Sequence, residues 1–499
     1  MEPEKKTKDR SFAIDVFKLA GGTIFAQILG ALASPIVARL FAPKDFGLAA
    51  NFTSIVIILS VVASLRYEST IMLPKTKQEA ANQFGLTFSI QLIFSVLLIP
   101  LLWLTRGWII DWLNTPDLLP YLWLVPPTVF ISGLFHTFNF WNARARQYLR
   151  LSIATVTRTV VEFTTKIAAG LMGFANGGMM ISANVISQTI CSAMLGFQIF
   201  KDDKKLFLEN IRIKSMLAGA KRYKKFPMYN TWATLLNQVS QQMPTFLLTA
   251  YFSTAVTGQY NMGYKILRLP MALIGSSINQ VFNERASKAR HDGNLSEIVR
   301  ETSHRLIILG LFPMLVLTIT GREVFMFVFG ARWADAGIYS QILSIWTFFV
   351  LISSPMSSLF AILEKNEYGL LFALVLIATR IGSLVVGGIA GNVILALSLF
   401  SATGSLAYFY WLLSLNRLAG IPFKHTLGQF SSSLLKSSPF LLTLAAVKWL
   451  TASSPLWVTL TSFLMGAAYY AMLYFIDPGV KEVAAEIFRR AKCFNGKKS

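Results

Sequence analysis

The sequence has 499 residues, of which 54% are hydrophobic and only 14% are charged. Its mean hydropathy is +0.54. Ordinary globular proteins are roughly a quarter charged, so this composition excludes a soluble globular protein, a disordered chain and a disulfide-stabilised scaffold. The net charge of +22 would suggest a nucleic-acid partner in a soluble protein, but lysine and arginine also accumulate in the cytoplasmic loops of membrane proteins.

Apolar segments of spanning length recur along the whole chain. A spanning helix needs about 20 mostly apolar residues, and about fourteen segments qualify. In chain order they are 15–40, 46–66, 84–105, 118–142, 152–174, 177–199, 226–250, 256–281, 303–320, 338–362, 368–389, 391–414, 431–450 and 454–476. The sequence therefore predicts an all-α polytopic membrane protein with about 14 transmembrane helices and no nucleic-acid partner.

Basic residues are concentrated in alternate loops. If the N-terminus is cytoplasmic, most loop lysines and arginines lie inside, including the nine between Lys201 and Lys225. The outer side then holds only Arg39, Lys44, Arg106, Arg322, Arg332 and Lys448. This asymmetry predicts cytoplasmic N- and C-termini and an inner surface that attracts anionic membrane lipids.

The loop lengths predict two lobes. The basic segment 201–225 separates six predicted spans from six more, and it is typical of an amphipathic helix on the membrane surface, with an ordinary linker as the alternative. A weak internal repeat, which pairs Gln27 with Gln238 and Gly47 with Gly258, supports the same division. The predicted boundaries are an N-lobe at 1–200, the linker 201–225, a C-lobe at 226–414, two additional spans at 415–476 and a basic cytoplasmic tail at 477–499.

Polar side chains follow one face of several predicted spans. On the seventh span they recur at steps of four, three and four residues, which places them on one helical face. Such residues either line a water-filled cavity or form hydrogen bonds between helices. The candidate cavity-lining residues are Gln27, Asn230, Asn237, Gln241 and Asn261.

Basic residues also lie well inside the predicted spans. At about 2.5–3.5 kcal/mol for each charge at a helix centre, five of them would cost about 12–18 kcal/mol in lipid. They are therefore expected to line a cationic cavity, with snorkelling or structural pairing as the alternatives. Phosphate-bearing cargo fits best, because arginine binds phosphate in a bidentate manner. The five residues are Arg158, Lys166, Lys265, Arg268 and Arg380.

One acidic residue, Glu162, shares a helical face with Arg158 and Lys166 at steps of four. The three form either a self-neutralising structural cluster or, through Glu162 and Lys166, an ion- or proton-coupling site, and both interpretations stay open. The four histidines are scattered, and neither a metal-ligand spacing nor a Walker A loop occurs. We therefore expect no catalytic residue, cofactor or metal site, and a protein that is not an enzyme.

Three stretches carry a family resemblance: RLFAPKDFGLAANFTSIVIILSVVASLRYESTIMLP at 39–74, the segment 226–282, and FGARWADAGIYSQIL at 329–343. They resemble bacterial polysaccharide transporters, the O-antigen and teichuronic-acid (Wzx-like) flippases of the multidrug/oligosaccharidyl-lipid/polysaccharide (MOP) exporter superfamily. That family usually has an acidic residue between the Phe-Gly pair and the tryptophan, where this chain has Ala331 and Arg332.

The resemblance implies a MATE-like MOP fold of two six-helix lobes around a central cavity, with two added C-terminal helices. It implies alternating access and a cargo of undecaprenyl-diphosphate-linked oligosaccharide, moved to the outer leaflet of the bacterial cytoplasmic membrane for O-antigen lipopolysaccharide or a related polysaccharide. Polymerase or ligase machinery is an expected partner. The polar set would then contact the sugars, and the diphosphate would contact Lys265, Arg268, Arg380, Arg158 and Arg66.

Two other functions are the alternatives. A drug or cation antiporter of the same superfamily needs buried carboxylates, whereas this chain has mainly buried bases. A membrane enzyme that uses lipid-linked sugars needs acidic groups outside, and the outer candidates lie on short loops. These candidates are Asp45, Asp111, Asp117, Glu323 and Asp335. The sequence favours the flippase.

Overall fold

The computed structural model describes residues 2–271, 276–477 and 481. Over these ranges the regular structure is entirely helical, as predicted. In chain order the α-helices are α1 (Glu2–Leu40), α2 (Pro43–Ala63), α3 (Lys77–Leu113), α4 (Val125–Arg144), α5 (Tyr148–Leu171), α6 (Gly177–Asn210), α7 (Ile213–Arg222), α8 (Thr231–Tyr251), α9 (Thr254–Leu267), α10 (Ser276–Asp292), α11 (Leu295–Phe329), α12 (Ala334–Ser353), α13 (Leu359–Ile362), α14 (Asn366–Ile389), α15 (Val393–Leu418), α16 (Phe423–Leu450) and α17 (Pro455–Ile476).

Eleven of the described helical segments are long and apolar enough to cross a membrane. They match the predicted spans except 152–174, 226–250 and 256–281, so the predicted count of fourteen is not confirmed. Those three segments are also helical, as α5, α8 and the pair α9 and α10. They carry most of the polar and charged candidates, which lowers their hydropathy and makes them poorly suited to lipid.

The predicted span 256–281 is not one continuous helix. α9 ends at Leu267 and α10 begins at Ser276, while residues 272–275 lie outside the described part of the chain. Pro270 favours the break, because proline lacks the amide proton for a helical hydrogen bond and disfavours helical geometry in the residue before it. Arg268 therefore lies just past the end of α9, and its predicted position in mid-span stays a prediction.

Residues Met1–Asn261 form one compact unit. α1 packs along α5, where a Cβ atom added to Gly22 would lie 2.5 Å from that of Ser152, so a glycine is needed for this close approach. α2 packs against α4, α6 and α8. A hydrophobic core joins α3, α4 and α6, where Phe84 and Phe207 stack with their ring centroids 4.8 Å apart.

Residues Met262–Ser499 form the second compact unit. α12 packs against α11 and α15, and α15 also packs against α14. The last two helices pack on α11, where Tyr469 of α17 stacks on Phe312 at 4.2 Å between ring centroids. The contacts group α8 with the first unit, and the predicted lobe boundaries stay a prediction. The predicted tail 477–499 lies outside the described residues apart from 477 and 481.

The basic segment predicted as a linker, 201–225, is helical in two parts. α6 continues to Asn210, and α7 follows after a short break. Within the first unit, α7 is fixed to the bend that follows α2, because the hydroxyl of Tyr67 donates to the carbonyl of Ala220 at 3.1 Å. Burial raises the pKa of Tyr67, so the phenol stays protonated and keeps its role as a donor.

Candidate functional site

The first candidate region is the bend that follows α2. Leu65 and Arg66 both adopt left-handed backbone conformations, with φ of 47° and 61°, which cost about 1–2 kcal/mol each for residues with a side chain. The bend places the Arg66 guanidinium 3.0 Å from the carboxylate of Glu68, a residue that is only 3% exposed. Strain of this kind persists where the surrounding fold imposes it, and it is common at functional sites.

Side chains of α4 and α5 complete this region. The Arg158 guanidinium lies over the ring of Phe135, 5.9 Å from its centroid. Glu68, Arg66 and Arg158 all act electrostatically on His136, so the structure brings together two arginines that the sequence placed in the phosphate-binding set. The side chain of His136 is exposed on α4.

Glu162 and Lys166 of α5 form a direct ion pair one helical turn apart. Lys166 is buried, and its ammonium group also lies 5.7 Å from the ring centroid of Phe163. A buried lysine that is held by a carboxylate and an aromatic ring has its charge compensated within the helix. This geometry supports the structural interpretation of the cluster, and the coupling role stays a prediction.

The polar candidates differ in what they contact. Asn237 and Gln241 are exposed on α8, where the Gln241 amide donates to the Asn237 side chain at 2.9 Å, and Asn230 is exposed just before α8. The amide of Asn261 donates to the carbonyl one turn earlier on α9, also at 2.9 Å. The side-chain oxygen of Gln27 is buried without a hydrogen-bond partner among the described atoms. The exposed amides of α8 are thus the best placed for a ligand.

A polar seam joins α2 to α8. The amide of Asn51 donates to the hydroxyl of Thr249 at 2.8 Å, and the hydroxyl of Ser54 donates to the side-chain carbonyl of Gln242 at 2.9 Å. Asn51 and Thr249 are both fully buried, so each polar group is satisfied by the other. The seam is therefore a specific contact, formed only when the two helices lie in this arrangement.

At the start of α2 the seam becomes a backbone contact. A Cβ atom on Gly47 would lie 1.7 Å from the carbonyl oxygen of Thr254, and one on Gly258 would lie 1.8 Å from that of Pro43. Only glycine at both positions allows α2 and α9 to approach this closely. These are the two glycines that the weak internal repeat pairs.

The second candidate region lies in Met262–Ser499. The Arg268 guanidinium lies 5.5 Å from the ring centroid of Tyr264, and that ring stacks on Trp346 at 5.6 Å. Gly404 of α15 makes room for this tryptophan, because a Cβ atom there would lie 2.6 Å from the indole. The stack places the guanidinium beside an aromatic face, a contact that does not use N–H donors as a carboxylate partner would.

Arg380 of α14 belongs to the same region. It forms a hydrogen bond with Tyr408 of α15, and Arg268, Arg380 and Tyr264 all act electrostatically on that tyrosine. Arg268 and Arg380 therefore belong to one region, and their role in binding phosphate stays a prediction. Lys265 is exposed on α9, three residues before Arg268.

The acidic candidate Glu323 is not on an outer loop. α11 extends to Phe329, past the predicted end of its span at 320, so Glu323 lies within the helix and is only 3% exposed. Its carboxylate accepts a bond from Lys448 of α16 at 3.1 Å. A buried, neutralised carboxylate is unsuited to the catalytic role that the enzyme alternative needs. Among the described residues, no group of three or more histidine, cysteine or acidic side chains could hold a metal ion.

Sequence reasoning missed four residues of these regions: Glu68, His136, Tyr264 and Tyr408. Glu68 and Tyr264 are close in sequence to predicted arginines, so proximity along the chain was a usable signal. His136 and Tyr408 could not be identified from the sequence, because the residues that act on them lie on other helices.

Residues 36–338, more than half of the chain, match the model of a family described as "Polysaccharide biosynthesis protein". The chain belongs to this family. Among its curated relatives, the lipopolysaccharide biosynthesis protein WzxC of Escherichia coli (strain K12) is 19% identical over 373 residues, and the teichuronic acid biosynthesis protein TuaB of Bacillus subtilis (strain 168) is 22% identical over 383 residues. Each alignment covers 73% of both chains.

Solved structures give the fold of this polysaccharide biosynthesis protein. The lipid II flippase MurJ, in an inward closed conformation, superimposes with a TM-score of 0.72 at 14% identity, covering 91% of this chain and 98% of that one. An inward-facing multidrug resistance MATE transporter of the MOP superfamily superimposes with a TM-score of 0.55 at 13% identity, covering 81% and 94%. The protein therefore has the MOP fold, and it combines membership of a polysaccharide biosynthesis family with eleven described helical segments able to cross a membrane.

Proposed function

We propose that the protein is a flippase for undecaprenyl-diphosphate-linked oligosaccharide, which it moves from the inner to the outer leaflet of the bacterial cytoplasmic membrane by alternating access. The observation that carries this proposal is the pair of arginine groups, Arg66 with Arg158 and Arg268 with Arg380, each gathered around one titratable side chain. The N- and C-termini are assigned to the cytoplasm on the distribution of basic loops.

The contacts of these arginines suit an anionic cargo. Arg158 and Arg268 lie over aromatic rings, a contact that positions a guanidinium group without a carboxylate. Guanidinium groups bind phosphate oxygens through two parallel hydrogen bonds, which a diphosphate provides. Lys265, exposed beside Arg268, adds positive charge without fixed geometry.

The exposed amides of α8 and of the residue just before it supply the sugar-binding surface of the proposal. Asn230, Asn237 and Gln241 offer both donors and acceptors, which match the hydroxyl groups of an oligosaccharide. Their spread over three helical turns suits an extended chain of sugars. Such a surface also tolerates different sugars, because amides donate and accept with equal ease.

The inner surface is assigned to anionic membrane lipids. The end of α6 and α7 expose Leu208, Ile213 and Leu217 together with Lys214 and Lys221. Exposed apolar side chains beside lysines are typical of a helix at the headgroup level of a membrane. Polymerase or ligase machinery stays an expected partner.

Alternating access requires contacts that form in one state and break in the other. The seam of Asn51 with Thr249, continued by Gly47 and Gly258, supports such a contact, because its non-covalent bonds are specific to one arrangement of the helices. Opening it would expose polar groups that water can satisfy, so the energetic penalty of opening is moderate.

A MATE-like drug or cation antiporter is the second candidate, and it is favoured by the fold of the MATE transporter described above. Its cavity would need free carboxylates for cations. Here Glu162 is paired with Lys166, and Glu323 with Lys448, so both acids are already neutralised by lysines. These pairs favour the flippase.

The test uses cells that lack this protein but keep the upstream glycosyltransferases and contain no redundant flippase. An impermeant periplasmic probe measures how much of the lipid-linked oligosaccharide is in the outer leaflet. We expect wild type to restore exposure and Arg268→Ala to reduce it by at least about tenfold, because one charge-assisted bidentate contact contributes about 1.5–3 kcal/mol.

The matched control is Lys424→Ala, which removes an exposed charge outside both arginine regions and is expected to behave as wild type. Normal outer-leaflet exposure in cells without the protein would refute the flippase assignment. Normal exposure with the Arg268→Ala variant would retain the flippase but reject the cationic site.

A further inference from the structure

The ring of Tyr408 on α15 is held in place by other aromatic side chains. It packs edge-to-face against Phe372 of α14, with the ring centroids 5.1 Å apart. Phe372 stacks on Trp411 at 4.1 Å, and Trp411 stacks on Phe360 of α13 at 4.0 Å. Stacked and edge-to-face contacts of this kind favour one orientation of each ring. The phenol of Tyr408 therefore has a defined position between α14 and α15.

The backbone of Tyr408 is held as well. The hydroxyl of Ser353, a fully buried residue at the end of α12, donates to the Tyr408 carbonyl at 3.2 Å. Two helical turns earlier, on the same face of α12, Trp346 stacks on Tyr264, whose ring lies beside Arg268. One face of α12 thus supports both Tyr408 and the ring beside Arg268.

The hydroxyl of Tyr408 forms a hydrogen bond with Arg380 of α14. Since the arginine side chain has donors and no acceptor, the guanidinium donates and the phenol oxygen accepts. A tyrosine is uncharged at neutral pH, so this bond orients the guanidinium without cancelling its charge, as a carboxylate partner would. The phenol therefore contributes orientation while the positive charge of Arg380 is kept.

We propose that Tyr408 is a positioning residue for Arg380 and holds its guanidinium in the orientation that the diphosphate of the cargo requires. The inference rests on the flippase proposal and adds the residue through which one of its arginines is oriented. Guanidinium groups bind phosphate through two parallel hydrogen bonds, which require a defined orientation. If residue 408 lacks the hydroxyl, its ring stays in the aromatic stack, but Arg380 loses this bond.

The experiment is a double-mutant cycle on ligand binding. The purified full-length protein, in phosphatidylcholine nanodiscs, is titrated calorimetrically with citronellyl-diphosphate-N-acetylglucosamine. Tyr408→Phe removes only the hydroxyl and is expected to weaken binding by at least about fivefold, because hydrogen bonds to charged groups are stronger than neutral ones. In an Arg380→Ala background, the same substitution is expected to change the affinity by less than about twofold, because the residue through which Tyr408 acts is absent.

Two controls separate positioning from a general effect on structure. Tyr410→Phe removes a hydroxyl from an exposed side chain two residues further along α15, and it is expected to bind as wild type does. Arg158→Ala changes the first candidate region, and in that background Tyr408→Phe is expected to retain its full effect. Arg380→Gln replaces Arg380→Ala if the latter variant does not fold.

Wild-type affinity in Tyr408→Phe would overturn the inference, and so would an equal loss with and without Arg380. Disappearance of the Tyr408→Phe effect in the Arg158→Ala background would also overturn it, since the coupling would then not be specific to Arg380. Absence of binding by wild type would do the same, because Arg380 would have no diphosphate to bind.

The leaflet assay tests the flippase proposal separately. If wild type restores outer-leaflet exposure, the flippase proposal stands even where the double-mutant cycle overturns the role of Tyr408. Failure of wild type in the leaflet assay would instead reject the flippase proposal itself, whatever the cycle shows.

Discussion

At the scale of single residues, the two candidate regions share a way of holding arginine. Arg158 lies over Phe135, and Arg268 lies over Tyr264. An aromatic face orients a guanidinium while leaving its edge donors unoccupied, which a carboxylate partner would not do. The two aromatic contacts therefore give both guanidinium groups a defined position, which a reversible anion site needs.

This arrangement makes a prediction about Tyr264. Tyr264→Leu removes the ring under Arg268 and is expected to weaken binding of a lipid-linked diphosphate sugar by about two- to fivefold, because a cation–π contact contributes about 0.5–1 kcal/mol. Tyr264→Phe keeps the ring and serves as the control, with affinity within a factor of two of wild type. Calorimetric titration gives both values. Equal loss in the two variants would show that the hydroxyl, not the ring, is what Arg268 needs.

At the scale of helices, the pairing of α11 with α16 shows how a charge is accommodated in a long apolar segment. Glu323 of α11 is 3% exposed, and Lys448 of α16 reaches both its carboxylate and the Ile319 carbonyl, the latter at 2.6 Å. A buried ion pair adds little to stability against an apolar replacement, but losing one partner leaves a charge unsatisfied. The pair thus specifies where α16 docks.

The stability consequence is measurable. Lys448→Ala is expected to reduce the free energy of unfolding by about 1–3 kcal/mol, because Glu323 loses its partner while α11 keeps it buried. Adding Glu323→Gln in the same chain should recover part of this loss, since a neutral amide is easier to bury. Thermal unfolding in detergent, followed by intrinsic fluorescence, compares the three proteins. A double variant less stable than Lys448→Ala alone would contradict this account.

At the scale of the whole molecule, the proposed transport requires that one closed contact opens in each cycle. The Gly47–Gly258 crossing in Met1–Asn261 is the tightest such contact described, with room for no side chain at either position. It lies at the start of α2 and near the start of α9, which the distribution of basic loops assigns to the outer side. α2 and α9 can lie in contact at this end only because Gly47 and Gly258 have no Cβ atoms.

Gly47→Val is therefore expected to prevent closure and to abolish transport in the leaflet assay without preventing membrane insertion. Cysteine introduced at Ser54, in a background without Cys191 and Cys493, should then react faster with an impermeant thiol reagent added from outside. Gly107→Val is the control, because no atom lies within 4 Å of a Cβ atom at that position. Full transport by the Gly47→Val variant would show that the Gly47–Gly258 crossing does not have to close during transport.

The sequence by itself determined the membrane class, most of the spans, the positive charge of the candidate site residues and the family resemblance. It could do so because hydropathy and charge act locally and the bilayer responds to each segment separately. It did not determine that Glu323 is paired with Lys448, or that Arg66 acts electrostatically on His136 and Arg380 on Tyr408. Those facts depend on which helices pack together. Tertiary structure alone decided them, since side chains far apart in the chain acquire a common environment only when packing brings their helices into contact.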